Sequence, residues 1–175
     1  RAVRLLSALL TVESLLLLLS AAWRMTLYVD VYGLSFKRCM TYWGMGMMAT
    51  FLLAAAWKVW RPDFRFCRVV FPLALAGWLV INCVPVDYLV AKDQVDRHLS
   101  GESAVLDVDY LLYDLSYDTL SQLERLDGDT IFQSRDSAFR TLESLLSQRR
   151  ADARAECADW RTWSLSAWLA SRGGA

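Results

Sequence analysis

The sequence predicts an all-α membrane protein in which three spanning helices are followed by a small soluble helical domain. Of the 175 residues, 55% are hydrophobic, and the apolar residues gather in three runs long enough to cross a bilayer. The net charge is zero, yet residues 1–86 hold nine Lys/Arg against three Asp/Glu (+6), whereas residues 87–175 hold ten against sixteen (−6). This reversal predicts a transmembrane region at 1–86 and an acidic helical C-terminal domain at 87–175.

The first apolar run, residues 5–23, predicts the first span. A helix of this length rises about 28 Å, close to the thickness of the hydrocarbon core. Arg4 lies before the run, and Trp23 and Arg24 lie at its end, as interfacial anchors do. Glu13 falls near the centre, where an acid is costly unless it is paired or faces a cavity.

Residues 24–38 are predicted to connect the first span to the second. Gly33 predicts a turn or a helix stop, because glycine accepts backbone angles that other residues avoid. Ser35 predicts the N-cap of the following helix. Lys37 and Arg38 would then lie in the first helical turn, where the macrodipole disfavours cations. We therefore expect lipid phosphates or a nearby acid to balance them.

The basic residues of this connector lie close in sequence to two tyrosines. Arg24, Lys37 and Arg38 accompany Tyr28 and Tyr32, and such a group can bind an anionic lipid headgroup. Ordinary anchoring at the membrane interface explains the same pattern, and we favour it.

Two further apolar runs, residues 39–57 and 67–84, predict an antiparallel pair of spans. A short basic turn at 58–68 separates them, and its Pro62 stops the preceding helix. The second span carries small residues at close spacing, which predict a face that contacts another helix. They are Gly44, Gly46 and Ala49.

The sequence of the polar half, residues 87–175, predicts a series of helices with capping residues at their ends. Pro85 predicts the start of a helix over 87–99, and Gly101 predicts its end. Two short helices follow, each opened by an N-capping side chain: Asp107 before 108–115 and Ser116 before 117–126.

The last part of the chain carries two more apolar patterns at helical spacing. The first spans 131–146, with Arg149 and Arg150 expected at its C-terminal end, and the second spans 154–171. No segment shows convincing strand alternation. In the second pattern Trp160, Trp163 and Trp168 suit the membrane surface, a partner or the domain core.

No pattern identifies a reaction, a cofactor or a metal. Four cysteines lack metal spacing and predict no disulfide framework, the acids fit no EF-hand loop, and His98 has no nucleophile motif nearby. The acidic half also argues against nucleic acid as a partner. The cysteines are Cys39, Cys67, Cys83 and Cys157.

Several linked motifs resemble the bacterial multi-pass membrane proteins catalogued as domain of unknown function four-one-seven-three and its relative four-one-five-three. The motifs are Arg24-Met25-x-Leu27-Tyr28, Tyr32-Gly33-Leu34-Ser35 with Arg38, Asp87-x-Leu89-Val90-Ala91-Lys92, Val95-Asp96-Arg97, Leu106-Asp107-x-Asp109-Tyr110-Leu111, Leu115-Ser116-x-Asp118 and Asp159-Trp160-Arg161-x-Trp163-Ser164-Leu165-Ser166. The chain departs from the family at Pro85-Val86, where the family has Asn-Pro, and at Gln94, where it has Asn. The resemblance implies further membrane helices upstream and no specific activity.

These observations favour a non-enzymatic scaffold, sensor or complex subunit that acts through its helical C-terminal domain. The alternative is a transporter or channel subunit that uses Glu13. A weaker alternative is a membrane enzyme that modifies lipids or envelope components. The residues expected to matter are Glu13, Arg24, Tyr28, Tyr32, Gly33, Arg38, Asp87, Trp160 and Trp163.

The expected surroundings are a bacterial plasma membrane, with the lipid bilayer and other membrane helices as partners. The sequence starts at Arg1 rather than Met, which suggests the C-terminal part of a longer protein. The side with the chain start and the 58–68 turn holds six basic residues and the other side five. The positive-inside rule therefore slightly favours an extracytoplasmic polar domain, whereas a lone Cys157 favours a reducing compartment.

Overall fold

The computed structural model describes residues 2–61, 63–102, 106–133 and 139–172. The chain forms two compact units, Arg1–Val84 and Pro85–Ala175. Nearly all of the regular structure is helical, which confirms the predicted fold class.

The first unit consists of three helices: α1 (Ala2–Tyr32), α2 (Phe36–Trp60) and α3 (Phe66–Cys83). All three are long and apolar enough to cross a membrane. Their described side chains are exposed or half-buried along the whole length. Apolar helices that keep their surface outward suit lipid as the surrounding solvent, so this unit indicates a membrane protein.

The first helix is longer than predicted, because α1 continues through Tyr32. The connector to α2 is therefore residues 33–35 rather than 24–38. Between Ala2 and Tyr32 the sequence contains neither Gly nor Pro. The prediction equated the helix with the apolar run, whereas breaking and capping residues determine where a helix ends.

Helices α2 and α3 pack against each other as an antiparallel pair, as predicted. A Cβ at Gly77 would collide with the Met47 thioether, so glycine allows this close approach. At Gly44 and Gly46, in contrast, a Cβ would meet nothing within 4 Å. Gly46 and Ala49 instead line an apolar groove together with Leu15, Leu18, Leu19 and Ala22 of α1.

The second unit begins with α4 (Val86–Leu99), which follows Pro85 and ends before Gly101 at φ 79°. A π-helix (Tyr110–Asp114), a 3₁₀-helix (Tyr117–Thr119) and α5 (Leu120–Leu123) come next. They are followed by β1 (Ile131–Gln133), β2 (Phe139–Thr141), α6 (Leu142–Ala158) and α7 (Leu165–Arg172). The core of the unit is aliphatic and includes Val90, Val95, Leu111, Leu112, Leu123, Leu142 and Leu145.

One of the two predicted N-caps in this unit is confirmed. Asp107 Oδ1 accepts a hydrogen bond from the Tyr110 N–H at 3.0 Å. Ser116 precedes a helical segment but makes no side-chain cap bond. Its Oγ donates to Asp118 Oδ2 at 3.3 Å instead, and α5 already ends at Leu123 rather than at residue 126.

The predicted helical pattern over 131–146 is wrong in its first half. Strands β1 and β2 pair antiparallel, with Ile131 opposite Thr141 and Gln133 opposite Phe139. Helix α6 starts only at Leu142. Ala138, one of the apolar residues of the predicted pattern, lies outside the described residues. Aromatic and β-branched side chains fit a β-strand as well as the buried face of a helix. A few apolar positions therefore could not distinguish a strand from a helix here.

The end of the chain also differs from the prediction. Helix α6 extends to Ala158, so Arg149 and Arg150 lie in its middle rather than at its C-terminal end. The predicted helix over 154–171 is broken by a turn at 159–164 before α7 begins.

Candidate functional site

The junction of α1 and α2 brings four of the predicted residues together: Tyr28, Tyr32, Gly33 and Arg38. Gly33 ends α1 with φ 73°, and its N–H donates to the Val29 carbonyl at 2.8 Å. This left-handed angle is the usual role of glycine after a helix. Ser35 caps α2, because its Oγ accepts from the Arg38 N–H at 3.4 Å. Both predictions for this turn are confirmed.

The Arg38 side chain, which belongs to α2, contacts the C-terminal end of α1. Its guanidinium lies 5.5 Å from the ring centre of Tyr28 and 5.7 Å from that of Tyr32, and the two rings stack at 4.8 Å. Nη1 donates to the Tyr32 carbonyl at 3.1 Å and to the Gly33 carbonyl. A cation at the C-terminal end of α1 is favoured by the helix dipole. The carbonyls of Tyr32 and Gly33, at the C-terminal end of α1 and just after it, therefore accept from Arg38.

Arg24, which was predicted to belong to the same group, lies apart from this cluster. The Arg24 side chain is exposed on α1 and makes no hydrogen bond or ion pair with the part of the chain that the structure describes. The structure adds a contact that the sequence did not indicate: Tyr42 Oη donates to Thr26 Oγ1 at 3.1 Å and joins α2 to α1.

Glu13 is exposed on α1. Its neighbours Thr11 and Ser14 donate back to main-chain carbonyls of the same helix, each at 2.8 Å. Within residues 2–61, 63–102, 106–133 and 139–172, the Glu13 carboxyl has no hydrogen-bond or ion-pair partner. A carboxyl in the middle of a membrane-capable helix calls for a partner or a polar cavity.

Asp87 belongs to a second cluster, which we call the aspartate clasp: Asp87, Ser116, Asp118 and Thr119. Asp87 Oδ2 accepts from the Ser116 N–H at 3.1 Å. Thr119 Oγ1 lies 2.8 Å from the Leu111 carbonyl and 3.1 Å from the Ser116 carbonyl, and serves as the donor. The clasp therefore joins the first turn of α4 to the chain that follows the π-helix.

A third cluster, around Arg149, was missed by the sequence analysis. The Arg149 guanidinium lies 4.1 Å from the Tyr117 ring centre and 5.7 Å from that of Tyr113. Nη1 also donates to Tyr117 Oη at 3.2 Å. Burial, followed by hydrogen bonding to Glu156, raises the pKa of Tyr117 to about 12 against the opposing charge of Arg149. The tyrosines lie four residues apart, and this spacing was the available signal.

The raised pKa of Tyr117 predicts a loss of stability at high pH. The unfolded chain releases this proton near pH 10, whereas the folded chain keeps it until about pH 12. The folded state thus binds more protons in this window, and stability falls as the pH rises through it. Ultraviolet titration should show one tyrosine ionising late. Tyr117→Phe should remove that late step, and an unchanged titration curve would contradict the assignment.

The aromatic residues of the last motif lie at the surface. Trp160 is 82% exposed and Trp163 is 51% exposed, both in the turn at 159–164. Trp168 is half-buried in α7. Packing in the domain core, one of the expected roles, is therefore wrong for Trp160 and Trp163.

The described residues contain no group of three or more His, Cys, Asp or Glu side chains arranged to hold a metal ion. The cysteine thiols are free: Cys39, Cys67, Cys83 and Cys157.

A family model described as Domain of unknown function (DUF4153) matches residues 1–126, more than two thirds of the chain. The chain belongs to the DUF4153 family. It is the second of the two related families that the motifs resemble. A search of curated proteins and a search of solved structures each gave no match.

The DUF4153 match covers both the α1–α2 junction and the aspartate clasp. The motif residues of these two clusters make contacts that hold helix ends in place. The last motif, at 159–166, lies beyond the matched range. The family match therefore says nothing about the exposed tryptophans of this motif, and their role has to be inferred from the structure of this chain.

Replacing Asp87 tests the clasp in this DUF4153 chain. Asp87→Ala removes the acceptor of the Ser116 N–H and should destabilise the second unit by about 1–3 kcal/mol. Asp87→Asn keeps an oxygen acceptor and should cost clearly less. Urea unfolding of both variants in lipid nanodiscs would measure the difference. Equal losses would show that the hydrogen bond to Ser116 is unimportant.

Proposed function

We propose that this chain is a non-enzymatic scaffold subunit of a membrane complex and that its helical C-terminal unit binds a partner protein. The observation that supports this role best is the outer face of the β-hairpin. Ile131 is 63% exposed and Phe139 is 75% exposed. Apolar side chains gathered on an exposed face are typical of interaction surfaces.

The hairpin holds these side chains in a defined geometry. Ile131 pairs with Thr141, and Phe139 lies two residues before Thr141 in the same strand. Residues opposite each other, and residues two apart, share a face of a sheet. Ile131, Phe139 and Thr141 therefore lie on one face, and all three are exposed. Within the described residues β1 and β2 form a two-stranded sheet, whose edges can accept a further strand.

Mild-detergent isolation from the native membrane tests this proposal. We expect a second protein to co-purify with the wild-type chain and to be lost with Phe139→Asp. Leu99→Asp is the matched control, because Leu99 is also an exposed apolar residue of this unit, at 53%. It should keep the partner. A wild-type chain that purifies alone, or a partner retained by Phe139→Asp, would argue against the scaffold role.

The second candidate function is a transporter or channel subunit, and the position of Glu13 favours it. An exposed carboxyl in the middle of α1 suits an ion path or a pairing site for a helix of another subunit. Flux into proteoliposomes should be lost in Glu13→Gln. Undiminished flux in that variant would exclude this role for Glu13.

The weaker alternative, an enzyme acting on lipids or envelope components, depends on the tyrosine–arginine junction. There, Arg38 already donates to two main-chain carbonyls, so fewer of its donors remain for a substrate phosphate.

The proposal places the chain in the bacterial plasma membrane with its C-terminal unit outside the cytoplasm. The small excess of basic residues on the opposite side supports this orientation. Alkaline phosphatase fused after Ala175 should be active, and a green fluorescent protein fused there should be dark. The reverse pattern would place the unit in the cytoplasm.

A further inference from the structure

The turn at 159–164 and helix α7 carry an exposed apolar strip, which we call the aromatic edge. It consists of Trp160 (82% exposed), Trp163 (51%), Leu165 (61%) and Leu169 (53%). Leu165 and Leu169 lie four residues apart and therefore share a face of α7. Four large apolar side chains that are exposed within residues 160–169 are unfavourable in water and are typical of a surface that contacts a protein or a membrane.

Hydrogen bonds hold the turn that displays the tryptophans. Asp159 Oδ1 accepts from the Arg161 N–H at 3.0 Å. Thr162 Oγ1 donates to the Glu156 carbonyl at 2.8 Å and fastens the turn to the end of α6. Ser164 Oγ accepts from the Ala167 N–H at 3.2 Å and caps α7. The outward position of the tryptophans is thus part of a folded, hydrogen-bonded turn.

Helix α7 is also held from its inner side. Ala167 is fully buried, and α7 packs against α6 and the 3₁₀-helix. The buried side fixes the helix to the unit, so Leu165 and Leu169 stay on the surface. The aromatic edge is therefore a fixed surface rather than a loose end of the chain.

Charge distinguishes this edge from the rest of the unit. Residues 159–172 carry Arg161 and Arg172 against Asp159, a net charge of +1. The remainder of 87–175 carries eight Lys/Arg against fifteen Asp/Glu, a net charge of −7. Arg161 lies 5.6 Å from the Trp160 ring centre, and Arg172 lies 4.2 Å from that of Trp168. Cations beside tryptophan complement anionic lipid headgroups.

The bilayer is also close along the chain. Helix α3, a candidate span, ends at Cys83, and α4 begins at Val86. The second unit is therefore tied to the membrane by a two-residue connection, which keeps its surface at a high local concentration near lipid.

We propose that the aromatic edge inserts into the headgroup region of the bilayer that holds the spans. Trp160, Trp163, Leu165 and Leu169 enter the boundary between headgroups and acyl chains, where tryptophan is favoured. Arg161 and Arg172 contact the phosphates of anionic lipids. This role is independent of the partner-binding hairpin, because it uses a different surface of the unit.

Spin-label accessibility in nanodiscs tests the insertion. The full chain, with its four free cysteines replaced by alanine, receives one nitroxide at Trp163→Cys or Leu169→Cys. Ala151→Cys, an exposed position on α6, is the control. Collisions are measured with oxygen, which concentrates in lipid, and with a water-soluble nickel chelate. The nanodiscs contain phosphatidylcholine with phosphatidylglycerol.

At positions 163 and 169 we expect oxygen collisions to exceed nickel collisions, and at position 151 the opposite order. Nickel collisions that dominate at 163 and 169 would overturn the proposal, because the edge would then be in water. Protection of both labels from both reagents would also overturn it, since protein would then cover the edge. The double substitution Arg161→Gln and Arg172→Gln should reduce the excess of oxygen over nickel collisions at positions 163 and 169. If the excess is unchanged, the two arginines do not contribute to the insertion.

Discussion

Replacing Arg38 by alanine is expected to destabilise the α1–α2 junction by about 2–3 kcal/mol. The variant loses the hydrogen bonds to the Tyr32 and Gly33 carbonyls, and bonds from a charged donor are worth about 1.5–3 kcal/mol. It also loses the contacts with the rings of Tyr28 and Tyr32, worth about 0.5–1 kcal/mol at an exposed site. The end of α1 should then fray.

Amide hydrogen exchange in detergent micelles measures this effect locally. A loss of about 2 kcal/mol corresponds to roughly a thirtyfold faster exchange of the amides around Gly33. Lys37→Ala is the matched control, because it removes a neighbouring exposed cation and leaves the cluster intact. Arg38→Lys should recover only part of the protection, since an ammonium lacks the planar fork of donors. Equal exchange in Arg38→Ala and Lys37→Ala would refute the role of Arg38.

Leu123→Ala should destabilise the second unit by about 2–5 kcal/mol, the largest single effect we expect. Leu123 is fully buried in α5. Its truncation removes apolar contacts and leaves a cavity that the helices around it fill only in part. Since a domain of this size is stable by about 5–15 kcal/mol, the variant should unfold at a much lower urea concentration.

Urea unfolding in nanodiscs, followed by far-ultraviolet circular dichroism, reports this loss. Leu99→Ala is the control for the change in chemistry, because Leu99 is 53% exposed, and surface substitutions cost within about 0.5 kcal/mol. If both variants unfold at the same urea concentration, α5 does not contribute to the core in the way the structure indicates.

The sequence was sufficient where one local rule decides the structure. Three apolar runs predicted the membrane-capable helices, since only length and composition matter there. Gly33 and Asp107 were recognised because a positive φ and an N-cap depend on residues within a few positions. The turn at Gly33 and the cap at Asp107 were therefore predicted correctly, although the first span was predicted too short.

The sequence was insufficient where distant residues decide. The bond from Ser116 to Asp87 joins positions 29 residues apart, and the contact of Arg149 with Tyr117 joins positions 32 apart. The partners of such side chains depend on how the helices pack. The hairpin was missed for a related reason, because each strand has three residues, too few to establish a period.

The π-helix over Tyr110–Asp114 fixes the number of residues between two anchors. Asp107 holds the chain before it, and Asp87 holds Ser116 after it. A π-helical turn contains one residue more than an α-helical turn, so a plain α-helix would cover the same angle with one residue fewer. If these residues became α-helical at unchanged length, the following chain would rotate by up to about 100°, and Ser116 would turn its N–H away from Asp87. The wider turn is thus itself a structural requirement here, and substitutions that favour a plain α-helix should weaken the bond from Ser116 to Asp87.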